Sequence, residues 1–364
     1  IILEGNTIEV TKGSELLATG PKGGEVDIKG DTSLNIAGVV DVSGDDGHGG
    51  QVVATADEIA LEDNSKIAAD GAAGGGLILI GGDWKGGQDE GARLLPDREI
   101  EQAQRVVVQA EAEISANATE DGDGGTVVVW SDTKIEDGLT EVYGSISVKE
   151  AGRGRGGEIE TSGHEVTLWG AFETGNNGHW LIDPENIWIG DTFAFGTSLT
   201  TRQLTNQLSP SGVFPGTTTE SSVTVQADNF MMIAGPIRPS SFWTQHTANL
   251  TLDAGGQMLL TAPISDGFNT RLNLTLNAGS SINQAQPIQI DGKLTVESAG
   301  AWRTGYGVNI EAAQGITRLK PASTGGLINW FGGDLITTTG NIDVAGDILI
   351  TNDISMTTQG GDIR

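Results

Sequence analysis

The chain has 364 residues, 55 of them glycine and only 10 proline, with no cysteine and a formal net charge of −29. Disulfide frameworks and thiolate metal sites are therefore excluded, and scarce proline without a Gly-X-Y period excludes collagen. So acidic a surface repels phosphate backbones and anionic membranes, which makes nucleic acid a poor partner, and no apolar run reaches the ~18 residues of a membrane span.

Along the chain, a Gly-Gly pair followed by an apolar strand recurs at Gly23-Gly24, Gly49-Gly50, Gly75-Gly76, Gly124-Gly125 and Gly156-Gly157. The first glycines are 26, 26, 49 and 32 residues apart, so the long gap is either two periods or one period with an insertion. Within residues 25–50 the strands expected are Glu25–Lys29, Ser33–Ala37 and Val39–Val42, closed by the loop 43–50. Residues 51–76 repeat the order with Gln51–Thr55, Glu58–Leu61 and Ser65–Ala69. Three short alternating strands in so few residues leave no room for a helix or a propeller blade. They fit one coil of a parallel β-helix, in which each period buries its apolar face only against its neighbours.

Residues 83–105 are charged, contain Pro96 and lose the alternation, so they are expected to project as a loop. Residues 1–190 hold most of the acid, with 36 Asp/Glu against 12 Lys/Arg. A Ser/Thr/Gly/Pro-rich excursion follows at 191–222, where Leu199, Leu204 and Leu208 would line one side of a short helix before Pro210. Strands then resume over 223–364 as Leu-Thr-Leu-type repeats at Leu250, Leu274 and Leu294. The expected architecture is all-β, a parallel β-helix in one continuous stack, and both ends read as cuts through a continuing pattern.

Four further motifs stand in order: Gly81-Gly82-Asp83-Trp84-Lys85-Gly86, Gly124-Gly125-Thr126-Val127-Val128-Val129-Trp130-Ser131, Gly156-Gly157-Glu158-Ile159-Glu160-Thr161-Ser162-Gly163, and His179-Trp180-Leu181-Ile182-Asp183-Pro184. With the Leu-Thr-Leu-x-Ala-Gly repeats after them, the chain resembles the filamentous haemagglutinin-like exoproteins of bacterial two-partner secretion. The resemblance runs from about residue 23 to the end. It implies a right-handed β-helix and export from a Gram-negative cell by an outer-membrane transporter. It also implies adhesion to host cells, other bacteria or matrix exopolysaccharide. The family's amino-terminal secretion domain, which the transporter reads, is not visible in this sequence. The residues therefore read as non-enzymatic shaft, with a β-helix polysaccharide lyase or hydrolase and a host-protein capture module as the rival readings.

The chemistry-bearing residues are sparse. His48, His164, His179 and His246 are scattered, with none at metal-ligand spacing from another, and no Gly-x-Ser-x-Gly elbow occurs. Asp45 with Asp46 and Asp121 with Asp123 are candidate calcium ligands, since they place oxygens at coil corners. With Asp132 they are also the candidate carboxylates of an enzyme, although Asp in Gly-rich turns is a turn residue first. Of eight tryptophans, Trp130, Trp169 and Trp188 lie in or at the end of apolar runs and read as packing. Trp84, with Lys85 beside it, and Trp302 have Gly and basic neighbours and are the expected exposed ligand contacts. Asn117, Asn249 and Asn273 begin glycosylation-type tripeptides, but the last two lie in strands, where outward ladders are the simpler reading.

Overall fold

A computed structural model describes residues 1–87, 91, 93–191, 198–209, 218–242, 244–319, 328–350 and 354–364, without the side chains of 218, 328 and 330. The expected loop 83–105 and excursion 191–222 therefore fall partly outside the described residues, as does Trp243. Among the described residues the chain is mostly β, in parallel sheets, with one short α-helix, Thr201–Gln207. It divides into two compact units, Ile1–Pro184 and Glu185–Arg364.

In the first unit, each strand pairs with its counterpart one period later. One ladder runs Glu25–Ile36, Gln51–Thr55, Leu77–Ile80, Thr126–Trp130, Glu158–Gly163 and His179–Pro184, each parallel to the next. A second continues from Glu25–Ile36 through Glu58–Leu61, Arg105–Val108, Leu139–Val142 and Glu165–Leu168. A separate six-stranded sheet holds the third strand of each period, from Glu15–Leu17 to Ala171–Glu173. The 49-residue gap is thus one period with an insertion, residues 81–104, between Leu77–Ile80 and Arg105–Val108. The two strands expected over 25–37 are one, because Glu25–Ile36 keeps pairing with Ile2–Val10 through a register shift at Gly5/Thr7.

This register stacks like on like. Val26, Val52, Ile78, Val127, Ile159 and Trp180 are successive partners, and all six are fully buried. Each such side chain contributes about 1.5–3 kcal/mol. The Gly-Gly pairs have a steric cause. A Cβ on Gly50, Gly76, Gly125 or Gly157 would lie 1.9–2.1 Å from the carbonyl oxygen of the matching glycine one period earlier. None of these four has a positive φ, so close approach rather than left-handed backbone selects glycine there.

Among the described residues, the strands of the second unit run in three parallel sheets. Thr218–Ala227, Gln245–Ala254, Thr270–Ala278, Leu294–Ser298, Ile316–Arg318 and Ile342–Val344 form one. A seven-stranded sheet runs from Asn186–Ile189 to Asp347–Ile350, and a five-stranded one from Ile264–Ser265 to Met356–Thr358. The helix Thr201–Gln207 begins at Thr200, whose hydroxyl accepts from Gln203 N, and it buries Leu204, with Leu199 and Leu208 buried on its flanks.

Candidate functional site

Strand alternation predicts a polar outer face, and on the first ladder of the first unit that rule fails in one column. The outward partners run Asp27, Val53, Leu79, Val128, Glu160 and Leu181. Val53, Leu79 and Val128 are fully buried, because described residues of the insertion (Trp84, Leu94, Leu95 and Ile100) pack over them. Ile100 and Trp130 complete this second, external core, with Leu77, Trp84, Leu94 and Leu95 packed against it. The sequence signal was the unbroken runs Leu77-Ile78-Leu79-Ile80 and Val127-Val128-Val129, which indicate a strand covered on both faces.

The insertion is fastened at several points. Arg98 grips Asp27 with both guanidinium branches, at 2.5 and 2.8 Å, and Lys29 pairs with Glu101 at 2.6 Å. The Trp130 indole donates to Gln102 Oε1 at 3.1 Å, while Gln102 Nε2 donates to the Gly86 carbonyl at 2.9 Å. The Trp130 ring leaves no space for a side chain at Gly82 or Gly86, where a Cβ would come within 2.5–2.6 Å of it. Asp83 is buried, and its Oδ1 accepts from Trp84 N and Leu94 N, which closes the turn.

Lys85 reaches the next period. Its backbone N–H, held at φ 51°, donates to Glu160 Oε2 at 2.9 Å. Ser162 Oγ donates to the other oxygen of Glu160 at 3.1 Å. Glu160 is fully buried, and burial pushes its carboxyl up to about 8. The hydrogen bonds from Lys85 and Ser162 oppose that shift, and the nearby charge of Asp183 adds to it. The four ordered motifs of the sequence thus meet here, contributing Gly82 to Gly86, Trp130, Glu160 with Ser162, and Asp183. Each was legible alone; their convergence was not, since the contacts span up to 75 residues.

The other expected site residues separate. Trp84 is half-buried against the external core, and only Lys85 of that pair is exposed. Trp302 is a correction: it is fully buried, T-shaped against Phe331 at 5.1 Å, with its indole donating to Gln284 Oε1 at 3.2 Å. The cause is register, for Trp302 succeeds Met231, Met258 and Ile282 in an inward column while Arg303 takes the outward place. Trp169, just past its strand, is 39% exposed and packs edge-on against Tyr143.

The aspartates do not converge as calcium ligands. Asp121 Oδ1 accepts from Arg153 N at 2.9 Å and Oδ2 pairs with the Arg153 guanidinium, which holds its carboxyl below the usual range. Asp123 Oδ1 accepts from Arg155 N at 2.7 Å. Both therefore pin the corner of the following period. Asp45 and Asp46 are exposed, with backbone N–H groups bonded to Gly20 and Pro21 carbonyls. Among the described residues, no three His, Asp or Glu side chains are grouped to hold a metal ion, and no helix is long and apolar enough to cross a membrane. The glycosylation-type asparagines are engaged in ladders: Asn273 donates to Asn249, Asn249 to Glu220, and Asn117 accepts from Ser147.

No model of a known protein family matches the chain, and no curated protein matches it in sequence.

Proposed function

We propose that the chain is a non-enzymatic, rod-forming segment of a secreted bacterial adhesin of the filamentous haemagglutinin type, its parallel sheets being the faces of a right-handed β-helix. The observation that carries the reading is the register. Strand pairs strand at one-period spacing even across the 24-residue insertion, so the register is kept on both sides of it. Such a stack grows by adding periods, each bonded only to its neighbours, which suits a spacer holding an adhesive surface away from a cell. The net charge of −29 favours solubility outside the cell. Glu160 does not serve the rival hydrolase reading, because a carboxyl wholly covered by Lys85 and the sheet offers no route to a substrate.

Attachment would be to exopolysaccharide or a cell-surface receptor, with the outer-membrane transporter engaging a domain beyond these residues. The test is a glycan array combined with binding of fluorescent beads, coated with the chain, to bacterial and epithelial cells. Reducing-end release is assayed on every glycan retained. Retention on cells or glycans without release supports the adhesin. Release of reducing ends would replace it with an enzyme, and beads no more adherent than albumin-coated ones would leave a spacer alone.

A further inference from the structure

Beside the main sheet of the second unit lies a groove of about 480 Å³ whose lining includes Gln245, Asn269, Arg271, Asp291, Gln314 and Thr338, together with Thr270 and Thr339, whose hydroxyls bond the Phe268 and Ala313 carbonyls. The first six side chains make no hydrogen bond or ion pair within the described structure, unlike the asparagine and glutamate ladders on the strands nearby. They come from five successive periods. Gln245 and Asn269 precede the paired residues His246 and Thr270. Asp291 falls opposite Arg271 by the register of Leu274 with Leu294. Gln314 N bonds the Gly292 carbonyl, and Thr338 N bonds that of Ala313. Five periods at ~4.8 Å per step make a trough roughly 20 Å long.

Its chemistry is that of a hydroxyl reader: amides, threonine hydroxyls, one guanidinium and one carboxylate, groups that donate to or accept from a sugar hydroxyl. The lining holds no large apolar side chain to seat a peptide anchor. Phe268, 68% exposed, immediately precedes the lining residue Asn269, and its carbonyl accepts from Ser241 N, next to Phe242, 80% exposed. The Asp291 backbone is fixed by Asp266, whose other oxygen accepts from Leu272 N at 2.7 Å, so this wall of the trough is preorganised.

We infer that this trough binds an extended neutral polysaccharide, one sugar residue per period or nearly so, with Phe268, beside Asn269, stacking on the apolar face of a ring. The strand spacing is close to the rise of an extended pyranose chain, so polar groups repeated once per period stay in step with hydroxyls repeated once per sugar. An acidic polymer is disfavoured by the chain's net charge of −29 and by Asp291 in the lining. The inference deepens the adhesin reading, and rests on it, by placing a ligand class on these residues themselves.

The experiment is affinity electrophoresis of the whole chain through gels containing dextran, a soluble β-glucan or a galactomannan, with polygalacturonate as the acidic comparison. Retardation by at least one neutral polymer is expected. Phe268→Ala and the pair Arg271→Ala with Asp291→Ala should each weaken it roughly five- to tenfold, the loss of one stacking contact or one or two hydrogen bonds. Lys149→Ala, an exposed change in the first unit, should leave it unaltered, and circular dichroism would check that all variants fold. Variants retarded as strongly as the parent would move the site elsewhere while leaving attachment intact. Retardation only by polygalacturonate, or by no polymer, would overturn the trough as a neutral-glycan site, and bead adhesion to cells would then decide the adhesin reading independently.

Discussion

Glu160 is held as a neutral acid at ordinary pH, and that has a consequence for stability. Its carboxyl titrates near 8 in the fold against about 4.5 when unfolded. Between those values the folded chain keeps a proton that the unfolded chain releases. The stabilisation is complete below pH 4.5 and is lost as pH rises to 8, by about 1 kcal/mol per pH unit. Glu160→Gln keeps an acceptor for Lys85 N without the ionisation. The variant should match the parent at pH 4.5 and exceed it by a few kcal/mol at pH 8, measured by hydrogen exchange of peptides in 77–87 and 158–163. Equal protection at both pH values would show that Glu160 ionises freely.

His246, in the second unit, has the opposite slope. Burial drives its imidazole down to about 4 against the opposing hydrogen bonds with Leu208 and Thr219. Its ring nitrogens meet Thr219 Oγ1 at 2.8 Å and Ser221 Oγ at 2.9 Å, so the neutral ring is cross-bonded between strands. Above pH 6.5 both states are neutral; as pH falls from 6.5 towards 4 the unfolded state takes up a proton that the fold refuses, and stability is lost. His246→Gln should be less stable at pH 7, having lost one of two bonds, yet lose less between pH 7 and 5. Exchange in peptides covering 219–227 and 245–254 would show this, and an identical pH slope in parent and variant would rule it out.

At the scale of elements, much was written in the sequence. Gln51–Thr55 and Glu58–Leu61 were bounded to the residue, because alternation and Gly/Asp punctuation are local signals. Less legible was whatever depended on the neighbouring period. Trp302 sits among Gly, Ala and Arg, and only the register with Ile282 reveals that it points inward. The external column Val53, Leu79 and Val128 is apolar on the face that a one-sided strand would leave polar, and only the insertion explains it. The glycine pairs were visible as a period, but their cause lies in a carbonyl one turn of the repeat away. Gly76→Ala should therefore force two backbones apart and lose 3 kcal/mol or more, about the upper range for a single change. Gly5→Ala, where a Cβ would meet nothing closer than 3.8 Å, should be nearly neutral. Paired urea titrations would compare them, and similar losses at both sites would refute the close-approach account. Trp130→Ala should lose about 3–5 kcal/mol by emptying the external core and releasing Gln102, whereas Trp130→Phe keeps most of the packing.

Over the whole molecule, 49 acidic residues against 20 basic ones make charge the dominant long-range term. Among the described residues, ion pairs such as Lys149–Glu173 and Arg153–Asp121 are exposed, and solvent screens such pairs to little net stabilisation. Self-repulsion among the remaining carboxylates should outweigh them. Raising NaCl from about 10 mM to 0.5 M, which shortens the screening length from about 30 Å to under 10 Å, should then increase stability to urea. A decrease would mean that pairs such as Arg98–Asp27 carry more than the net repulsion takes away. Divalent ions separate screening from binding. Asp121 and Asp123 already hold the backbone of Arg153 and Arg155, so calcium should act on these corners as a counter-ion. Millimolar calcium and magnesium at equal ionic strength should then shift the urea midpoint alike, and light scattering should show the same small rise in association with either. A calcium-only step that saturates at micromolar concentration and vanishes with chelator would instead require the corner aspartates to leave their arginine partners and gather round an ion.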